Sequence, residues 1–217
     1  MATYDLAAIR GTVRLRGNYE SSIKYTDTYI NTEIQSAAAE WYELIADTHE
    51  GWWTKDGTVS TTGAQQFVAL PADCWRVSGI DLLSGSDYLT LDQITIADRN
   101  RFGTSNAQPR AYRLSSRGAE LYPTPDTTYT IRITYTPTYT QLSDGVFVDY
   151  HNDWHDYIIV GALKRLAERM KSPMAAEHGA ELARVKQRIV EGASQRKSAE
   201  PEYLNLRERY GMYEEWY

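Results

Sequence analysis

Two histidines lie four residues apart, the spacing that places metal ligands on one face of a helix. Asp153 and Asp156 would add oxygen donors beside His151 and His155. The segment reads HNDWH, however, and lacks the glutamate of the HExxH zinc motif. A helix N-terminus also favours acids, with histidines as ordinary polar surface. A metal enzyme therefore remains one hypothesis, while the interpretation we favour has no metal site and no cofactor.

The single cysteine, Cys74, is the other residue that could do covalent chemistry. A catalytic thiol needs a histidine placed beside it by the fold, and a lone cysteine in a β segment is more typical of a small buried residue. One cysteine also excludes an intramolecular disulfide and a multi-cysteine zinc site, which suits a reducing cytoplasm. GxSxG, P-loop and GxGxxG motifs are absent from the sequence, so we predict that the protein is not an enzyme.

Arginines and aromatic residues in the middle of the chain could form a binding surface. The arginines could stack nucleic-acid bases, but acids nearly balance bases in that segment and the whole chain has a net charge of −6. A solvated sheet face is therefore the preferred interpretation of Arg110, Arg113, Arg117 and Arg132. A binding module that uses a Tyr/Trp-rich β face, for instance for carbohydrate, is the alternative function, with Trp52, Trp53 and Trp75 as its candidate residues.

The aromatic composition is unusual, with 17 Tyr and 6 Trp against 3 Phe. Tyrosine and tryptophan suit half-wet interfaces better than a dry core. They are dense after Pro201, which would end any helix that runs into the C-terminal segment. Because solvated tails are poor in aromatic residues, we expect this segment to dock on a partner, although it could instead fold onto its own domain. Its aromatic residues are Tyr203, Tyr210, Tyr213, Trp216 and Tyr217.

Helical periodicity marks both ends of the chain. One helix is predicted after Thr26 or Asp27, either of which is a good N-cap, and a shorter helix over residues 4–14 is weakened by Gly11. The stripe of the longer helix comprises Ile30, Ile34, Ala37, Ala38, Trp41, Leu44 and Ile45. Periodicity returns at residue 152 with Trp154, Ile158, Ala162, Leu166 and Met170. Ser172-Pro173 then predicts the start of another helix, and the short connection favours an antiparallel hairpin.

Residues 51–140 are instead rich in Val, Thr, Ile and Tyr, with turn signals between short runs. Alternation is clearest over residues 128–135, where Tyr129, Ile131, Ile133 and Tyr135 share one face. Residues 92–102 are predicted to form a short helical turn. Strands are predicted near residues 57–62, 65–70, 74–83, 87–91, 110–115, 119–122 and 128–136.

The fold class that follows is α+β: a helical bundle with a large antiparallel β insert and an extended C-terminal arm. We expect residues 1–56 to begin the helical body, residues 57–145 to form the insert, residues 146–198 to complete the body, and residues 199–217 to form the arm. The sequence has no apolar run long enough to span a membrane, and its start lacks the features of a secretory signal. We therefore expect a protein that is neither embedded nor conventionally secreted.

The order of these segments resembles the head-to-tail connector (adaptor, or neck) proteins of tailed bacteriophages. The resemblance covers about residues 25–195, and no single motif in it is specific. Residues 67–77 resemble the family's "apolar-Leu-Pro-x-Asp-x-x-Arg-Val" entry into the sheet, and residues 156–163 its "Asp-x-Ile-Ile-x-Gly-Ala-Leu" helix. The other stretches that carry it are residues 29–31, residues 108–112 with 119–126, and residues 131–135 with 142–144.

The resemblance implies a structural protein of the virion neck, assembled in the host cytoplasm. Such proteins usually form a dodecamer, a ring of twelve copies beneath the portal, through which double-stranded DNA passes during packaging and ejection without sequence-specific binding. The family's helices form the ring body, its β insert projects toward the next neck or tail component, and C-terminal arms often reach the portal. By position, the portal-binding residues would be Tyr203, Leu204, Leu206, Tyr210, Tyr213, Trp216 and Tyr217. Net acidity is consistent with DNA passage, since tight binding to DNA needs clusters of bases.

Overall fold

A computed structural model describes residues 4–19, 25–49, 51–102, 105–145 and 154–197, with side chains described as far as residue 192. It confirms the mixed α+β class, with four described helices and two sheets. The chain divides into two compact units. One combines Met1–His49 with Gln141–Tyr217, and the other is Glu50–Thr140.

The first unit is helical. Its most extensive helix contacts join the second helix to the third and the third to the fourth, and the first helix packs on the second and third. None of the helices in the described part of the chain combines the length and the apolarity that crossing a bilayer requires. The helices are α1 (Leu6–Arg16), α2 (Asp27–Thr48), α3 (His155–Arg169) and α4 (Met174–Lys197).

The capping residues explain where the first two helices begin. The Asp5 carboxylate accepts a hydrogen bond from the Ala8 backbone N–H at 2.8 Å, and the Thr26 hydroxyl accepts one from the Tyr29 N–H at 3.3 Å. α1 therefore starts two residues later than predicted and continues through Gly11 to Arg16. The predicted stripe of α2 is confirmed: Ile30, Ile34, Ala37, Ala38, Trp41 and Ile45 are buried, and Leu44 is half-buried.

α3 and α4 form the predicted hairpin. The Ser172 hydroxyl accepts a hydrogen bond from the Met174 N–H at 3.3 Å, as expected of a residue that starts a helix. Trp154, Ile158, Ala162 and Leu166 are buried as predicted. Met170 was predicted to continue this stripe but is exposed, because it is the C-cap residue at the end of α3.

α2 and α3 approach each other closely at a glycine. A Cβ atom added to Gly161 would lie 3.1 Å from the Cβ of Ala37, so these two residues set the separation of the helices at this point. Ion pairs flank the contact: Arg165 pairs with Glu40, and an Arg169 guanidinium nitrogen lies 2.8 Å from Glu33 Oε1. Glu33 is almost fully buried, so its charge depends on Arg169 for compensation.

The second unit contains two four-stranded sheets. The first has the strand order β1-β8-β3-β4 and is antiparallel, and the second has the order β2-β7-β6-β5. Their strands are β1 (Lys55–Ser60), β2 (Phe67–Val68), β3 (Cys74–Ser84), β4 (Asp87–Thr90), β5 (Asp92–Gln93), β6 (Ala111–Ser115), β7 (Gly118–Tyr122) and β8 (Thr130–Pro137).

One cluster of apolar side chains from both sheets forms the core of this unit. The alternation predicted for β8 is confirmed, since Ile131, Ile133 and Tyr135 belong to this core and Tyr129 packs against it. Leu91 is also in the core, between β4 of one sheet and β5 of the other.

Residues 92–102 differ from the predicted helical turn in their first part. Asp92 and Gln93 form β5, which pairs in parallel with β6, and only Asp98–Phe102 form a 3₁₀ helix. The sequence signal failed here because a two-residue strand is too short to show alternation.

Candidate interaction surfaces

Arg14 joins α1 to the start of α2. Its guanidinium donates to Asp27 Oδ1 at 2.6 and 3.1 Å and to the backbone carbonyls of Tyr19 and Tyr25 at 3.0 and 2.9 Å. The two hydrogen bonds from Arg14 to Asp27 lower the pKa of this carboxyl below its usual value. A single side chain thus fixes both ends of the connection between the two helices.

The segment that enters the helical unit after the β strands is fastened to α2 by one glutamine. The Gln35 amide nitrogen donates to the Leu142 carbonyl at 2.7 Å, and the Gln35 amide oxygen accepts from the Leu142 N–H at 3.0 Å. Asp5 adds a second attachment, since its carboxylate accepts from the Gly145 N–H at 3.0 Å. Hydrogen bonds from Ala8 and Gly145 lower the pKa of Asp5.

The structure bears on only one member of the predicted histidine pair. His151 lies outside the described residues. His155 is buried and stacks on the Tyr4 ring with a centroid distance of 3.9 Å, so it is not the polar surface residue that the sequence favoured. Within the ranges that the structure describes, no group of three potential ligand side chains could hold a metal ion.

Cys74 is partly buried at the start of β3. Burial raises the pKa of its thiol, and the negative charge of Asp73 raises it further. A nucleophilic cysteine needs the opposite shift, toward the thiolate. The environment of Cys74 is therefore that of a structural thiol.

The four arginines of the β segment do not form one surface. Arg113 pairs with Glu120 in the second sheet, whereas Arg132 donates to Asp81 Oδ2 at 2.7 and 3.0 Å in the first. The Arg132 guanidinium also lies over the Tyr88 ring, 3.9 Å from its centroid. Arg117 lies over the Phe67 ring, and Arg110 is exposed. Acids and aromatic rings of the same unit therefore already contact three of the four.

The candidate tryptophans are placed in two segments of this unit. Trp52 and Trp53 are half-buried in the turn before β1, whereas Trp75 is 40% exposed on β3 with the Arg76 guanidinium 4.8 Å from its ring centroid. Among the tyrosines, Tyr135 donates its hydroxyl to Asp73 at 2.8 Å.

The residues predicted to bind the portal lie outside the described residues. They are Tyr203, Leu204, Leu206, Tyr210, Tyr213, Trp216 and Tyr217.

The sequence interpretation missed a contrast in charge between two helices. α2 has five acids and no base, whereas α4 has three acids and five bases. Counting charges helix by helix would have shown the acidity of α2. Which of these charges stay unpaired on the surface depends on the tertiary contacts.

The family model for the SU10 adaptor protein matches residues 4–204. No curated protein matches the chain. The family is one of structural phage adaptors and not a known enzyme family, which implies a virion protein that interacts with other phage head or tail proteins. Since the match includes both compact units, the chain belongs to the SU10 adaptor protein family.

Proposed function

We propose that this adaptor forms a ring that joins the portal vertex of the phage head to the tail and lets the genome pass. The family match over residues 4–204 is the observation that carries the proposal. Twelve copies would form the ring, with closed cyclic symmetry. The excess of Tyr and Trp over Phe supports extensive contact between proteins, because these side chains are enriched at interfaces.

In this proposal the helical unit forms the ring body and the β unit meets the next neck or tail component. In terms of the sequence, residues 1–56 and 146–198 would supply the body and residues 57–145 the insert. The division of the chain into two compact units, one of them Glu50–Thr140, supports separate roles for the two parts, because each has its own packed interior.

Sedimentation velocity, with the protein alone and mixed with the portal protein of the same phage, tests ring formation. We expect a discrete ring, either in both samples or only when portal is present. A chain that stays monomeric in both samples and never joins the portal would contradict the proposal.

The C-terminal arm is proposed to make the portal contact through Tyr203, Leu204, Leu206, Tyr210, Tyr213, Trp216 and Tyr217. Five aromatic residues within the last 15 provide a large apolar area that favours a partner protein. Deletion of residues 200–217 should abolish portal attachment and leave the circular dichroism spectrum and the melting temperature of the remaining chain unchanged. The matched control is E214Q/E215Q, which alters the same arm but keeps its aromatic residues. If the truncated chain attaches normally, the arm does not bind the portal.

We further propose that double-stranded DNA passes through the ring during packaging and ejection without being bound in a sequence-specific way, and that the ring assembles in the host cytoplasm. The net charge of −6 supports the passage of DNA without tight binding, because strong non-specific binding requires clusters of bases that release counterions. Fluorescence anisotropy with a labelled duplex should show no saturable binding at physiological salt. Tight binding that depends on the DNA sequence would contradict passive passage.

A further inference from the structure

β1 and β4 are the two edges of the first sheet, and neither has a second strand beside it among the residues that the structure describes. All four residues of β4 are exposed, and those of β1 are exposed or half-buried. Proteins usually protect an unpaired edge with lysine, proline or a bulge, because its free backbone groups can pair with another strand. β4 has the sequence DYLT and pairs with β3 without a shift in register, so it carries none of these protections. β1 begins with one lysine, Lys55, which pairs with Asp73 of its own unit at 3.7 Å.

Backbone hydrogen bonds show which residues of the two edges face away from the sheet. The Leu91 N–H donates to the Ile80 carbonyl at 2.9 Å, and the Thr61 N–H donates to the Tyr129 carbonyl at 2.8 Å. In an antiparallel pair, successive residues alternate between bonding to the neighbouring strand and facing away from it. Counted from these two bonds, the outward residues are Tyr88 and Thr90 on β4, and Asp56, Thr58 and Ser60 on β1.

A row of apolar side chains crosses the whole sheet on its inner face, the face that lies against the core. We call it the inner row; its members lie directly opposite one another on successive strands, and they are Val59, Ile131, Leu82 and Leu89. Ile131 and Leu82, in the middle of the row, are fully buried. Leu89 at one end is 49% exposed, and Val59 at the other end is half-buried. The inner row therefore ends in apolar surface at both edges of the sheet.

The two edges match in direction and in face. Each strand of this sheet runs antiparallel to its neighbour, so β1 and β4 run in opposite directions. When the sheet of a second copy continues the sheet of the first, β1 of the second is therefore antiparallel to β4 of the first. The outward residues of both edges alternate with members of the inner row, so their side chains lie on the outer face. Pairing them keeps the apolar faces of the two sheets on the same side.

We propose that β4 of one copy pairs with β1 of the next copy of this chain, so that the sheets of neighbouring copies join at their edges. This inference rests on the proposed ring. In the register that continues the inner row, Leu89 lies opposite Val59 of the next copy, and each covers apolar surface of the other. The outward residues beside them then form two pairs with two backbone hydrogen bonds each, Tyr88 with Ser60 and Thr90 with Thr58. The two edges are different surfaces of one chain, so their contact is heterologous, as a ring of many copies requires.

A lysine at the exposed end of the inner row tests the pairing. In L89K the ammonium group would lie against Val59 of the next copy, where burial of its charge is unfavourable. L89K should assemble at least about tenfold more weakly than the wild-type chain in sedimentation velocity, with portal protein present if the wild-type ring requires it. Its circular dichroism spectrum should be that of the wild-type chain, because position 89 is exposed in the single copy. The matched control is I96K, which makes the same change in charge at a residue that is 58% exposed outside β1 and β4 and should assemble normally.

Disulfide cross-linking tests the register. Within one copy, Val59 and Leu89 are separated by three strand spacings, about 14 Å, which is too far for a disulfide. In the proposed pair their Cα atoms would lie about 4.5 Å apart, within the range that a disulfide allows. With the native cysteine removed by C74A, oxidised L89C/V59C should therefore form covalent oligomers on a non-reducing gel. The matched control is L89C/T58C, whose second cysteine lies one residue away on the outer face and should stay monomeric on the same gel.

Normal assembly of a folded L89K variant, or equal cross-linking of the two double-cysteine variants, would overturn the edge pairing while leaving the proposed ring in place. If L89K failed to fold, the cross-linking comparison would decide alone. A wild-type chain that forms no ring under any of these conditions would overturn both proposals. If L89K formed rings but lost binding to the next neck or tail component, β4 would be a docking edge for that component, and the pairing between copies would again be wrong.

Discussion

Replacing Gln35 with leucine should weaken the helical unit strongly, because this side chain satisfies both backbone groups of one buried residue. Leu142 is 9% exposed, and its N–H and carbonyl are bonded to the Gln35 amide at 3.0 and 2.7 Å. Leucine has nearly the volume of glutamine but can neither donate nor accept. The substitution therefore leaves two backbone groups of Leu142 without partners.

The size of the effect follows from those two groups. A buried polar group that loses its only partner costs about 1–3 kcal/mol. Because both hydrogen bonds are only partly buried, we take about 1–2 kcal/mol for each group and expect Q35L to lower the free energy of unfolding by about 2–4 kcal/mol. At about 2–4 °C per kcal/mol for a chain of this length, the melting temperature should fall by about 4–16 °C. The matched control is Q141L, which makes the same substitution at the exposed neighbour of Leu142 and should change the free energy of unfolding by less than about 0.5 kcal/mol.

Replacing Gln35 with glutamate provides a second test, because the loss of stability should then depend on pH. An ionised carboxylate can accept from the Leu142 N–H but repels the Leu142 carbonyl oxygen, so the folded-state pKa of the introduced carboxyl should exceed its unfolded value of about 4.3. A raised folded-state pKa contributes stability that is present below the unfolded value and is lost as the pH rises through the folded value. Q35E should therefore be destabilised at pH 7 and should recover toward the wild-type chain as the pH falls to about 4.

Urea unfolding monitored by circular dichroism, between pH 4 and pH 7, measures both effects. The difference between each variant and the wild-type chain at the same pH isolates the contribution of position 35. A Q35L variant as stable as Q141L would refute the reasoning. So would a Q35E variant whose deficit is the same at every pH.

Two further predictions concern the β unit. Gly118 has φ = +129°, and a Cβ atom there would lie 2.2 Å from the Val68 carbonyl oxygen. G118A should therefore lower the free energy of unfolding in urea by about 2 kcal/mol or more. A variant with wild-type stability and unchanged amide exchange in β2 and β7 would contradict this prediction. Burial alone would raise the pKa of Glu120, but hydrogen bonds from Arg113 and Tyr122 outweigh it, and the net pKa is lowered. A lowered pKa contributes stability above the unfolded value that is lost as the pH falls through the folded value, so the wild-type chain should lose its advantage over E120Q below about pH 4. An advantage that is as large at pH 2 as at pH 7 in parallel melts would count against this role of Glu120.

The sequence was sufficient for elements whose pattern is long and local. The helical stripe of α2 and the turn before α4 were predicted, and Thr26 was one of the two N-cap residues predicted for α2, because periodicity and capping depend on residues within a few positions of each other. The alternation of β8 was predicted for the same reason. β5 was not, since it consists of two residues paired with a strand about 20 positions away, and that pairing leaves no local trace.

The surfaces were harder to predict than the elements. The burial of His155 depends on its contact with the ring of Tyr4, which lies in a distant part of the chain. The charges of α2 can be read from the sequence, but only the tertiary contacts show that Glu33 and Glu40 are paired with arginines of α3. The aromatic arm was visible from composition alone, and its role stays a prediction.

The helical unit is built from two stretches of sequence that must come together during folding. The positions of the first and last strands of the β unit affect the entropic cost of that step. Lys55 of β1 lies opposite Tyr135 of β8, so the first and last strands of the inserted unit are direct neighbours. Once this unit has folded, the flexible loop between the two helical stretches shortens from roughly 90 residues to roughly 10, which lowers the entropic cost of closing it by about 2 kcal/mol. The insert thereby serves as a folding aid for the helices on either side of it, in addition to any contact that it makes in the assembled virion.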